Sequence, residues 1–267
     1  MNYEKWYEQI KLHLSDYKIN VLQTNENGVW KKNKKEYSHI LPLDKGTDNY
    51  MCDEAKGALT ENERHSDWNH LNSSQTLCVN FFAPLMYSNN QELLALLLSH
   101  ITGKGIAIKE SCFEYVPKSY SSNFDFYVKD TEDVEYFFEI KYTEKGITTS
   151  GGGKNPLNAY CRYYCEDVKN NPSFRKVSKE VFMKKHYQAY RNMVKAKGNN
   201  YSIFITMKGN AATYEELQLA IKDLKCEKPA NLILLYWEEL IDETIKLFKD
   251  NEKIKEYYIK LKDKYII

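Results

Sequence analysis

Residues Ser121 to Glu144 read SSNFDFYVKDTEDVEYFFEIKYTE, and how this stretch is read decides the fold. Phe124 to Lys129 and Val134 to Tyr142 are rich in aromatic and β-branched residues, which favours two strands. Asp130, Thr131, Glu132 and Asp133 between them supply turn chemistry. Side chains alternate faces along a strand, so Asp125, Tyr127 and Lys129 share one side, as do Glu135, Phe137, Glu139 and Lys141. If Thr131 to Asp133 form a three-residue loop, Asp130 pairs with Val134 and Asp125 falls opposite Glu139. Opposed residues point to the same face with Cβ atoms about 5 Å apart. A loop one residue longer or shorter would turn Asp125 to the other face.

The reverse face of this hairpin is apolar: Phe124, Phe126 and Val128 against Tyr136, Phe138 and Ile140. That marks a core hairpin, not a surface flap. On the other face, two carboxylates and a nearby backbone carbonyl form a hard oxygen donor set of the kind that suits Mg²⁺. Such an ion makes bound water more acidic. Lys141, two residues beyond Glu139 on the same face, is placed to orient that water and offset developing negative charge. The same three residue types also make an ordinary cross-strand ion pair, since Glu-x-Lys is common in a lysine-rich chain. The apolar reverse face weighs for the first reading.

Asp125 followed fourteen residues later by Glu139-Ile140-Lys141 resembles the motif of the PD-(D/E)XK phosphodiesterase superfamily, the restriction endonuclease-like fold. Phe124 stands where many members have proline. The resemblance is carried further by His70 to Gln75 running on to Asn80 to Pro84, by Phe113 to Val116 and by Ile140 to Glu144. In these segments the chain is similar to a group of bacterial restriction endonucleases within that superfamily, over residues 65 to 235. The resemblance implies an α/β fold, a mixed central sheet flanked by helices, here with an N-terminal helix and hairpin added. It implies Asp125, Glu139 and the Ile140 carbonyl as metal ligands and Lys141 as the catalytic lysine. The activity implied is Mg²⁺-dependent hydrolysis of double-stranded DNA, with Mn²⁺ as a substitute, by a type II-like restriction endonuclease. Such enzymes commonly work as homodimers when they cut both strands. A nucleic-acid-binding or scaffold protein that keeps the fold without catalysis, and a structure-specific or RNA nuclease, stay open beside it.

Length and composition set broad limits. The 267 residues suffice for a sizeable core without disulfide or metal staples. A formal charge of +1 argues neither for nor against a nucleic-acid partner. The six cysteines are scattered, and Cys161-x-x-x-Cys165 lacks a matching second pair, so no zinc site is expected. No apolar run reaches the roughly 18 residues that span a bilayer, and the N-terminus lacks the apolar core of a secretion signal. The expectation is a cytoplasmic protein. Three regions are expected: an N-terminal extension over 1–64, the catalytic core over 65–237 and a C-terminal helical brace over 238–267.

Along the chain, residues 2 to 16 carry apolar residues at helical spacing. Val29-Trp30 and Tyr37 to Leu41 flank Lys31-Lys-Asn-Lys-Lys35, a hairpin with a basic tip that either touches phosphates or is a solvated turn. Residues 43 to 67 show no period and read as a long loop. A helix from about Ser74, preceded by good capping residues, carries Leu77, Phe81 and Leu85 on one face. Ser73 and Gln75 there are either parts of a capped core helix or, by the resemblance, face the substrate. A second helix spans Asn90 to Ile101. Glu114, in the strand Ile106 to Val116, is either a further metal-site carboxylate or an outward-facing glutamate.

Thr148 to Lys154 is a glycine-rich loop without phosphate-loop spacing. A tyrosine-rich helix over Asn158 to Val168 and a longer one over Ser178 to Lys195 follow. Gln188 is a weak match to the glutamine that some superfamily relatives carry after the lysine strand. Arg191 belongs to the basic surface suited to backbone contact. Tyr201 to Met207 and Asn231 to Trp237 are apolar strands joined by a helix over Tyr214 to Leu224, capped by Thr213 and Glu216. That succession suggests a crossover extending the sheet.

Overall fold

A computed structural model of the chain describes residues 2–87, 91–118, 123–147 and 156–267. The glycine-rich loop Thr148 to Lys154, the residues Ser121 and Ser122 that open the quoted stretch, and the expected helix start at Asn90 lie outside the described residues. In chain order the elements are α1 (Tyr3–Asn20), β1 (Gly28–Val29), β2 (Glu36–Tyr37), α2 (Asp53–Gly57), α3 (Ser74–Tyr87), α4 (Gln91–Thr102), β3 (Ile108–Tyr115), β4 (Phe124–Asp130) and β5 (Glu135–Ile140). Then come α5 (Pro156–Tyr163), α6 (Cys165–Lys169), α7 (Tyr187–Met193), β6 (Tyr201–Thr206), α8 (Ala211–Asp223), β7 (Leu232–Tyr236), α9 (Trp237–Leu247) and α10 (Glu252–Tyr265). The contacts divide the chain into two units: Met1–Ile106 with Met207–Gly209 and Tyr236–Ile267, and Ala107–Thr206 with Asn210–Leu235. This division differs from boundaries at 64/65 and 237/238, because α3 and α4 share their contacts with the terminal segments.

The first unit is helical with one small hairpin. α3 is buried from Gln75 to Leu85 with no polar face, the pattern of a central core helix. Phe81 meets Phe82, Trp237 and Tyr258 with ring centroids 4.8, 5.1 and 5.2 Å apart. Residues 43 to 67, aperiodic in sequence, are a 3₁₀ turn (Leu43–Asn49), α2 and further turns. Buried side-chain amides organise them. Asn49 donates to the carbonyls of Trp68 and His70 at 2.9 and 2.8 Å, and Asn80 accepts from the Met51 N–H at 2.9 Å. Lys264, fully buried, donates to the Asn49 backbone and side-chain oxygens at 2.6 and 3.0 Å.

The second unit is built on a five-stranded mixed sheet in the order β3-β4-β5-β6-β7. β3, β4 and β5 are antiparallel, and β5 pairs parallel with β6. Helices α5 to α8 contribute to one apolar cluster with Tyr127, Phe137 and Phe204 of the sheet. Phe126, Val128, Phe138, Ile140, Ile203 and Ile205, on the other face, are also buried. The site-bearing face is therefore part of a core and not a solvated hairpin surface.

Three expected helices differ in detail, the first being Asn158 to Val168, which is split at Tyr164 into α5 and α6. Ser178 to Lys195 is not one α-helix: Val181–Lys185 is a π-helical turn, and His186 (φ −134°, ψ 32°) breaks the run before α7. α8 begins at Ala211, capped by Asn210, whose side chain accepts from the Thr213 N–H at 3.3 Å. Thr213 and Glu216 therefore do not form its capping box. The Thr213 hydroxyl donates to the Glu144 carbonyl at 3.2 Å, and Glu216 accepts from the Ile147 N–H.

Candidate active site

The β4–β5 register is Lys129↔Glu135, Val128↔Tyr136, Tyr127↔Phe137 and Phe126↔Phe138, which continues to Asp125 opposite Glu139. The hairpin closes as the three-residue loop requires. The Asp130 N–H donates to the Val134 carbonyl at 3.0 Å, and Asp133 takes a left-handed φ of +61°. Asp130 fixes this loop. Its carboxylate accepts from the N–H groups of Glu132 and Val134 and from the Tyr136 hydroxyl, all at 2.9 Å.

Asp125 is held to the next strand by the Ile140 N–H, which donates to its Oδ2 at 2.6 Å. The β3–β4 register, Phe113↔Phe126 and Tyr115↔Phe124, brings Glu114 opposite Asp125. The sheet thus lays Glu114, Asp125 and Glu139 in one row. Glu114 has a φ of +52°, a conformation a glutamate rarely adopts, and its carboxylate accepts from Asn123.

Glu139 is 2% exposed, so its charge survives only with partners around it. One oxygen is met by Lys141 Nζ at 2.8 Å and Gln188 Nε2 at 2.7 Å. The other is met by Asn192 Nδ2 at 2.7 Å and an Arg191 guanidinium nitrogen at 3.3 Å. Gln188, Arg191 and Asn192 reach one carboxylate because residues spaced i, i+3 and i+4 share a helix face. The opposite face of α7 (Ala189, Tyr190, Met193) is buried in the core and sets that orientation. Asn192 is a site residue that the sequence did not single out. The available signal was its position four residues after Gln188, on the same face.

Lys141 extends the parallel ladder, its N–H donating to the Ile205 carbonyl at 2.9 Å. The segment beyond it is pinned by Asn210, which donates to the carbonyls of Tyr142 and Glu144 at 3.1 and 2.8 Å. Gly146 (φ +75°) sits against Glu216, where a Cβ would come within 2.4 Å of the carboxylate. Lys141, Glu144, Lys145, Gly146, Ile147, Gln188 and Glu216 line a concavity of about 520 Å³.

The electrostatics separate the two central carboxyls. Burial and the neighbouring Glu139 charge push Asp125 well above the usual carboxylate range, against the pull of Lys141. Burial alone would raise Glu139 too, but Lys141, Arg191 and the Asn192 hydrogen bond outweigh it and hold that carboxyl below its ordinary value. Lys141 is desolvated, yet Glu139, Glu144 and Asp125 raise its pKa and keep it charged. Among the described residues, Arg191 Nε and Asn192 Oδ1 are buried without a hydrogen-bond partner. Groups pushed apart in this way, with Lys141 and Gln188 between them and a concavity, are the electrostatic mark of a functional site.

A family model described as Restriction Endonuclease associating with ARP matches residues 11–266. The chain belongs to this family. No curated protein and no solved structure matches it. Membership in the REase-ARP family extends the restriction endonuclease resemblance over nearly the whole chain and suggests a nuclease-like function. Among the described residues of this REase-ARP chain, no helix is long and apolar enough to cross a membrane.

Ser73 and Gln75 belong to the first unit. Ser73 Oγ accepts from the Thr76 N–H at 3.3 Å at the start of α3. Gln75 accepts from the His65 N–H and donates to the Glu63 carbonyl, both at 2.8 Å, and so ties the preceding turns to α3.

Proposed function

We propose that this chain is a metal-dependent endonuclease that hydrolyses DNA phosphodiester bonds in the manner of a type II-like restriction endonuclease. What carries the reading is the single row of Asp125 and Glu139 with Lys141 beside it, on a buried sheet face behind a concave opening. The donor types suit a hard divalent cation, which on binding would displace one of the donors now on Glu139. The set is all oxygen: the Asp125 and Glu139 carboxylates and the Ile140 carbonyl, with Glu114 next in the row. Desolvation first and the Glu139 charge second raise Asp125, and a bound cation would offset that cost. Mg²⁺ is the ion such oxygen donors suit, with Mn²⁺ as a substitute. When bound it would polarise the scissile phosphate and acidify a water.

The protein's own groups have distinct tasks in this reading. Lys141, held charged by Glu139, orients the attacking water and offsets charge developing on the phosphate. Gln188 and Asn192 fix the Glu139 carboxylate so that its lone pairs keep one direction. Arg191 neutralises Glu139 through its ion pair at 3.3 Å. Cutting both strands of a duplex calls for two such centres, which a homodimer supplies.

The test is cleavage of supercoiled plasmid with Mg²⁺, Mn²⁺ or EDTA, by wild type and by Asp125→Ala and Lys141→Ala. The expected outcome is metal-dependent nicking and linearisation, reduced at least about 100-fold in each variant. Calorimetric titration with Ca²⁺ reads metal binding without turnover, and Asp125→Ala should abolish it. Cleavage that survives both substitutions refutes the assignment.

A further inference from the structure

We propose that the small β1–β2 hairpin of the first unit is a docking arm for the phosphate backbone of duplex DNA, resting on the nuclease reading for its choice of polyanion. The tip carries Lys31, Lys32, Lys34 and Lys35 in five residues, and every residue from Lys31 to Glu36 is exposed. In a chain of net charge +1 this is a concentrated positive patch. Among the described residues, Asp67 against Lys32 at 3.6 Å is the carboxylate paired with these four lysines. Crowding like charges without matching anions costs the folded state, and a polyanion removes that cost.

The tip is also held in one shape. The Trp30 N–H donates to the Lys35 carbonyl and the Lys34 N–H to the Trp30 carbonyl, both at 2.8 Å. Asn33 accepts from the Lys35 N–H at 3.1 Å and donates to the Tyr37 hydroxyl at 2.7 Å. Lys34 takes the left-handed conformation (φ +61°) that this closure needs. At the base, Trp30 packs its ring against Tyr37 and His70. Gly28 lies so close to Leu41 that a Cβ would come within 2.2 Å of its carbonyl oxygen. A preformed tip presents its ammonium groups at low ordering cost, and flexible ammonium groups suit phosphates without reading bases.

The experiment compares full-length wild type with Lys31→Gln/Lys34→Gln/Lys35→Gln, three exposed substitutions whose folding is checked by circular dichroism and thermal unfolding. Binding of a fluorescent duplex of about 30 base pairs is followed by anisotropy in EDTA across a salt series. Each lost phosphate contact should lower the slope of log affinity against log salt by about 0.9, so the variant should lose about 2 to 3 in slope. At 0.1 M salt that corresponds to about a hundred-fold to a thousand-fold weaker binding, whatever the duplex sequence.

An unchanged affinity and slope overturns the proposal. So does failure of wild type to bind any duplex, or tip-dependent binding to phosphatidylserine vesicles that exceeds binding to DNA. The nuclease reading is tested separately by plasmid cleavage. A protein that binds through its tip but never cleaves refutes that reading and leaves the arm standing. One that cleaves equally well at saturating DNA with the tip neutralised separates docking from chemistry.

Discussion

Asp125→Asn should stabilise the folded protein while removing its metal site. The substitution keeps the size of the side chain and the acceptor oxygen that meets the Ile140 N–H at 2.6 Å. It deletes a charge that burial, Glu139 and Glu114 all oppose. Lys141 attracts that charge, so its loss offsets part of the gain, but Lys141 keeps Glu139 at 2.8 Å. Active-site substitutions that relieve such conflicts commonly gain about 0.5–2 kcal/mol. For a chain of this size that is about 2–8 °C in Tm.

The pH dependence has a fixed sign. With its folded pKa raised, Asp125 binds a proton in the folded state over a range where the unfolded chain has already lost it. Wild-type stability from this group is therefore highest at low pH and falls as pH rises from about 4 through the raised folded value, by about 1.4 kcal/mol per unit of difference. The Asn variant lacks that loss, so its advantage should be small at pH 4 and grow toward pH 8. Thermal and urea unfolding in EDTA at pH 4, 6 and 8 measure it. Saturating Ca²⁺ should then raise the Tm of wild type and leave the variant unmoved. A variant less stable than wild type at pH 8, or a gap that does not change with pH, would refute the account of the paired carboxyls.

Three further outcomes follow from the same geometry. Asn192→Ala removes a hydrogen bond to the buried Glu139 carboxylate and should cost about 1.5–3 kcal/mol in urea unfolding, with Asn192→Asp costing more because it sets a second charge against Glu139. Asp130→Ala removes an acceptor that serves two loop N–H groups and the Tyr136 hydroxyl; a loss of about 2–4 kcal/mol, with slowed hydrogen exchange protection lost first at Val134, is expected. Lys264 has its pKa pushed down to about 7 by burial, so the folded protein should gain about 1.4 kcal/mol per pH unit between about pH 7 and 10; Lys264→Met should flatten that slope in thermal unfolding and raise stability at pH 6.

The central hairpin was legible because strand periodicity and turn length leave little freedom. Once Thr131 to Asp133 make the loop, counting alone carries Asp125 to Glu139, and the reverse face identifies a core strand. What surrounds Glu139 was less accessible. Gln188, Arg191 and Asn192 are ordinary polar residues of a helix, and only the buried face formed by Ala189, Tyr190 and Met193 settles where they point. The break at Val181–Lys185 is invisible to a search for helical period, since a π-helical turn keeps apolar residues recurring while changing their phase. Residues 43 to 67 failed for a related reason. Their order comes from single buried amides, Asn49 and Gln75, that bond backbone at a distance in sequence. The same limit explains the contrast between Ser73 and Gln75 on one side and Gln188 on the other: each is a polar residue on a helix, and the identity of its partner is a tertiary fact.

The row Glu114–Asp125–Glu139 and the face of α7 together account for a feature that neither explains alone. A row of three carboxyls, Glu139 buried and Glu114 and Asp125 half-buried, is unstable by itself, since each disfavours the ionisation of the next. Lys141, Gln188, Arg191 and Asn192 gather on Glu139 at one end of the row, and this holds that carboxyl ionised while Asp125 is pushed up. Charge is thus compensated at one end and left in deficit at the other. A divalent cation entering there would meet one carboxylate already ionised and oriented and one that gives up a proton to receive it. Metal binding should accordingly release protons and tighten as pH rises. Glu114, at the other end of the row, keeps a strained φ and accepts from Asn123. Calorimetric titration of Ca²⁺ in buffers of different ionisation enthalpy reads the released proton directly. Binding without proton release near neutral pH would mean that Asp125 is already ionised, and the division of labour between the two carboxyls would fall.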